Sequence, residues 1–272
     1  MIRNSALAFA PRYVQMVVLA ALLALAALAW AYVIWLATQM SAPSPPAMSS
    51  MPQMDGMMMP AFSSWTFVHF LFIFTMWSVM MAGMMLPSVA PMVLIYARVT
   101  QQSTPPGRLP APAGWFAIGY LIAWILFAVV AALAQWGLET LALISPMMAS
   151  ANHKFGGAVL IGAGVYQWLP TKDGCLWQCR EPLAFMQRHG GFKTSALGSL
   201  RLGLLHGKYC VGCCWALMAV LFVVGVMNLL WIAVLMVIVL LEKVIPGGRY
   251  FARFTGCAAF AAGIWMINSA SP

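Results

Sequence analysis

The chain has 272 residues, 63% of them hydrophobic and 7% charged, with a formal net charge of +9. An ordinary soluble domain is about 25% charged, so fourteen basic and five acidic residues cannot clothe a globule of this size. A soluble enzyme, a disordered tail and a disulfide-knit secreted domain are thereby excluded. The unbroken apolar runs also exclude a porin, whose strands alternate.

In chain order, the apolar runs predict seven spans of an all-α, polytopic transmembrane helical bundle: Val14–Thr38, Trp65–Leu86 with a continuation past Pro87, Trp115–Trp136, His153–Leu169, Gly207–Val226, Leu229–Ile245 and Tyr250–Asn268. The fourth, sixth and seventh are short for a crossing of roughly 20 residues, and six spans follow if the fourth is re-entrant. The first run is too long for a signal-peptide core of roughly 7–15 residues, so residues 1–38 read as a retained anchor helix. Residues 39–64 form a Met- and Pro-rich outer loop. Residues 65–272 form the main helical domain, with a Cys-containing inner loop over 170–200. Pro87 and Pro91 are expected to interrupt the second span.

The basic residues set the orientation. Arg3 and Arg12 precede span one, and Arg98 and Arg108 follow span two. Lys172, Arg180, Arg188, Lys193, Arg201 and Lys208 lie between spans four and five, and Lys243, Arg249 and Arg253 flank the turn after span six. With the N-terminus cytoplasmic, these thirteen share one side and Lys154 alone lies opposite. The asymmetry explains the basic charge through the lipid bilayer, with no nucleic-acid partner. It predicts a multi-pass protein of an inner (cytoplasmic) membrane.

Methionine is over-represented, at 22 residues. Met48, Met51, Met54, Met57, Met58 and Met59 crowd the outer loop, where no packing reason is evident. Met76, Met80 and Met84 recur at helical spacing in span two, with His69 on the same stripe. Thioethers are soft, neutral ligands suited to Cu(I), although methionine also packs well in apolar interiors.

Cysteine gives the sharpest pattern. Cys210, Cys213 and Cys214 form C-x-x-C-C, and His206, Cys210, Cys214 and Met218 follow one another at i+4 along a helix. Cys175 and Cys179 add C-x-x-x-C beside basic residues, which favour the thiolate. Thiolate, imidazole and thioether together make a soft-metal surface, with Cu(I) first and zinc as the alternative. Cys257 stands alone as a packing residue. Glu242 and Lys243 read as a mutual or interfacial pair closing span six. No Walker motif, nucleophile elbow, G-x-G-x-x-G or H-E-x-x-H occurs, which argues against an ATP-driven pump.

Three arrangements of residues resemble a known family: Trp77-x-x-Met80-Met81-Ala82-Gly83-Met84-Met85-x-Pro87-x-x-x-Pro91, then Tyr166-Gln167-x-x-Pro170 leading through Lys172, Cys175, Cys179 and Pro182, then Gly207-x-x-Cys210-x-Gly212-Cys213-Cys214-Trp215 with Glu242-Lys243 beyond. They are similar to the bacterial membrane proteins grouped as domain-of-unknown-function family 2182. That resemblance implies an integral membrane protein with a metal site, and no particular substrate or reaction.

The leading expectation is a protein that binds Cu(I) for transport or delivery across the inner membrane. A periplasmic or cytoplasmic metal carrier is the partner such a role implies. The metal ligands expected are Cys175, Cys179, Cys210, Cys213, Cys214, His206, Met218, His69, Met76, Met80 and Met84. Two rivals remain: a membrane thiol oxidoreductase or metalloenzyme, and an assembly protein with a structural zinc site.

Overall fold

A computed structural model describes residues 3–40, 66–101, 111–144, 152–193 and 195–269. The methionines of the outer loop therefore lie outside the described residues. Among those described, the elements are helices: α1 (Arg3–Met40), α2 (Phe67–Gln101), α3 (Ala111–Thr140), α4 (His153–Tyr166), α5 (Pro170–Arg180), α6 (Pro182–Arg188), α7 (Ala196–Ala219), α8 (Leu221–Val224), α9 (Leu229–Val244) and α10 (Gly248–Asn268).

Among the described residues, five segments are long and apolar enough to cross a membrane: Val14–Gln39, Phe67–Gln101, Pro112–Thr140, Ala196–Val224 and Gly248–Asn268. This is the architecture of a multi-pass membrane protein. The expected fourth and sixth spans are helices of only 14 and 16 residues, below the roughly 20 a crossing needs.

Three local expectations differ from the structure. Pro87 and Pro91 do not interrupt α2, which runs on to Gln101. Neighbouring helices and hydroxyls can satisfy backbone groups near a proline. The carbonyls that lose a helical N–H partner are those of Gly83 and Pro87, four residues before each proline. Between them the Met85 carbonyl accepts from Ser88 Oγ at 2.9 Å and from Tyr120 Oη at 3.3 Å. The inner loop is largely helical, because Pro170 and Pro182 stand at the first positions of α5 and α6, where a missing N–H costs nothing. The fifth span starts earlier than Gly207, since Ser195 caps α7 by accepting from the Gly198 N–H at 3.2 Å.

Small residues fix how the helices approach. Gly203 lies against the backbone of Phe116, and Gly207 against Tyr120 and Ala123, so α3 and α7 run parallel in close contact. Gly157 meets Gly263 and Gly164 meets Gly256, which makes α4 and α10 antiparallel. Gly83 meets Ala29 and Trp30 of α1, while Arg98 bonds Gln15 at 2.9 Å, so α1 and α2 are antiparallel.

A Cβ at Gly203 would collide with the Phe116 carbonyl, which is backbone and cannot rotate away. Gly203→Ala should therefore lower stability by about 1–3 kcal/mol. Gly137→Ala on α3 meets nothing within 4 Å and should be neutral or mildly stabilising. Thermal unfolding in detergent separates the two. Equal midpoints would mean that the α3–α7 contact is looser than described.

The bundle is staggered. Lys243, next to the last residue of α9, reaches Cys210 at 2.9 Å. Cys210 lies about 21 Å along α7 from Ala196. The helices α2, α3 and α7 thus continue well past the level at which α9 ends, and α5 and α6 pack beside their extension. There Phe185 stands 5.0 Å from the His206 ring and Phe192 stands 5.5 Å from Tyr96.

Candidate metal centre

The site begins with the helical period of α7. Cys210, Cys213 and Cys214 lie within two turns and all three are buried, as is His206 one turn earlier. The glycines at 203 and 207 draw α3 close enough for Tyr120 to reach Cys210, with Oη 3.0 Å from Sγ. From the other side α5 delivers Cys179. The sulfurs of Cys179, Cys210 and Cys213 lie within 4.8 Å of one another.

Two further elements close this layer. Lys243 of α9 donates to Cys210 Sγ at 2.9 Å and to Ser88 Oγ of α2 at 3.0 Å. The Cys213 and Cys214 thiols both turn back to the Cys210 carbonyl, at 3.1 and 3.0 Å. Three helices (α3, α7 and α9) and the short α5 therefore converge on one sulfur, and α2 joins them through the Ser88 hydroxyl that Lys243 also reaches. A cation beside that sulfur stabilises negative charge on it, which is what a cysteine must carry to bind a metal as a thiolate.

Beside the cluster runs a second polar network. Lys172 and Glu242, both essentially fully buried, form an ion pair at 2.7 Å. Gln167 donates to Glu242 Oε1 at 3.1 Å, and Thr255 donates to the same oxygen at 3.4 Å. The expected mutual pairing of Glu242 with Lys243 is thus replaced: each pairs with a different helix. Adjacent residues on a helix point about 100° apart, so they face different neighbours.

The remaining expected ligands lie around or apart from the three-sulfur set. Cys175 is half-buried against Gly212, where an added Cβ would stand 2.9 Å from its sulfur, and it lies outside the three-sulfur set. His206 is packed among Phe116, Tyr120 and Phe185, and its Nδ1 has no hydrogen-bond partner among the described residues. Cys214 is buried beside the set and Met218 one turn beyond it. Met76, Met80 and Met84 are buried along α2, with Met84 adjoining the Met85 whose carbonyl accepts from Tyr120. His69 lies about 22 Å along α2 from Met84, too far to share a site with the cysteines. Cys257 is exposed on α10.

Sequence reasoning missed Tyr120, Ser88 and the Lys172–Glu242 pairing. A tyrosine inside an apolar helix signals that its hydroxyl has a partner somewhere, but not which one.

The α5 thiols are held protonated. Hydrogen bonding with Cys210 and Cys213 keeps the Cys179 thiol well above its usual range, and burial pushes the Cys175 thiol up.

No curated protein and no solved structure matches the chain. A family model does, and its name differs from that of family 2182 although it too is metal-related. The match covers residues 74–266, which takes in the α2 methionines, both cysteine motifs and the Glu242-Lys243 step. The family is described as PpoB2, copper chaperone, and on a match of that extent the chain belongs to it.

Proposed function

We propose that the protein takes Cu(I) as cargo on Cys179, Cys210 and Cys213 and hands it on across, or at the face of, a bacterial inner membrane. The observation that carries this reading is the convergence of three sulfurs within 4.8 Å inside a member of a copper-chaperone family. Thiolates suit both Cu(I) and zinc, but structural zinc sites take four ligands, and three close sulfurs favour the copper reading. Residues 1–38 act as an anchor, the outer methionine loop collects the ion, and a soluble metal carrier serves as donor or acceptor. The buried α2 methionines form a neutral ladder ending beside Tyr120, ahead of the stronger anionic ligands.

Elemental analysis of the detergent-purified protein under reducing conditions, beside a thiol titration, tests the assignment. Copper should bind in preference to zinc. Affinity should fall on acidification, because the proton held by the Cys179 thiol competes with the metal. A protein free of copper, whose thiols cycle as a dithiol–disulfide pair, would return the site to redox chemistry.

The ladder has its own test. Replacing Met76, Met80 and Met84 together with Leu keeps volume and apolarity, so each site should cost under about 1.5 kcal/mol. Copper loading in cells should nevertheless drop while expression holds. Unchanged loading would reduce the stripe to packing.

A further inference from the structure

Arg201 and Lys208 are both exposed on α7. They are seven residues apart, so they share one face with about 10 Å between them along the helix axis. Neither makes a hydrogen bond or ion pair among the described residues. Side chains on a helix lean toward its N-terminus, so the Lys208 ammonium is carried toward Arg201.

Between α3 and α7 these two cations border a groove of about 660 Å³. Its other walls are apolar, with Leu126, Phe127 and Val130 from α3 and Leu204, Leu205 and Val211 from α7. No acidic side chain lines it. Lys208 adjoins Gly207, which packs on Tyr120, so it lies at the level of the cysteine cluster where α9 ends. Toward Val130 the groove continues into the apolar part of the bundle. Toward Arg201 it follows the extension of α7 beyond that level.

We propose that this groove holds one anionic phospholipid, its phosphate between Lys208 and Arg201 and an acyl chain along Leu126, Phe127 and Val130. Cations at one end and hydrocarbon at the other match the two ends of such a lipid, and a neutral or wholly apolar occupant would leave the charges unanswered. The lipid fills the α3–α7 seam on the outside, on the side of α7 that bears Lys208.

Native mass spectrometry of the full chain, exchanged into mixed phosphatidylglycerol and phosphatidylcholine, reads the occupant directly. Wild type should retain one phosphatidylglycerol in preference to phosphatidylcholine, by about fivefold for each cation engaged. Arg201→Gln with Lys208→Gln should lose the preference while helical content by circular dichroism stays the same. The charge-keeping pair Arg201→Lys with Lys208→Arg should retain it. Equal retention of the two lipids by wild type overturns the proposal in favour of a non-selective acyl chain. A preference that survives in the glutamine pair overturns it by placing the lipid elsewhere, and a preference lost in the charge-keeping pair overturns it as well.

Discussion

Replacing Cys210 and Cys213 together with serine is expected to abolish copper binding in the purified protein while leaving the helices formed. Cys210 is the point on which Tyr120 and Lys243 converge, and Cys213 supplies the second sulfur of the close set. A hydroxyl is a poor ligand for Cu(I), and serine at 210 still accepts from Lys243, so the substitution removes the ligand while sparing the ammonium. Cys257→Ser, on the exposed face of α10, should bind as wild type does. Equal copper content in wild type and the double variant would sink the site. Lys243→Met should weaken binding without removing it, since it takes away the charge beside the sulfur and no sulfur.

Lys172→Met should cost about 3–5 kcal/mol, because it strands the Glu242 carboxylate in a site that is 1% exposed. Removing both charges, as Lys172→Met with Glu242→Met, should recover much of that loss, since the desolvation of both ions disappears with them. Denaturation of the wild type and the two variants in detergent checks both expectations. A double variant as unstable as the single one would mean that Gln167 and Thr255 also depend on the carboxylate for their place.

The long helices and the cysteine face were legible in the sequence because both rest on period alone. Apolar runs announce α1, α2 and α3, and the spacing of Cys210, Cys213 and Cys214 fixes their common side whatever the rest of the fold does. The stretch from Pro170 to Arg188 reads as loop because its polar residues outweigh its pattern. Prolines at helix starts were the signal available there. Which partner each buried polar group finds was not legible. Glu242 bonds Lys172 from 70 positions away, and Tyr120 meets Cys210 from 90 positions away, so both depend on how whole helices pack. The clustering of Cys179 with Cys210 and Cys213 needed only a connector long enough to return, and that much the spacing allowed.

Glu242 and Lys243 are neighbours in the chain that answer to different masters. One fastens α9 to α5 through Lys172, and the other fastens it to the Cys210 sulfur. A helix turns as a unit, so rotating or sliding α9 to free Lys243 from the sulfur also drags Glu242 against its own partner. That partner sits on the same short helix that carries Cys179. The end of α9 is therefore geared to the cluster: cargo arriving among the sulfurs and any shift of α5 are felt by the same two consecutive residues.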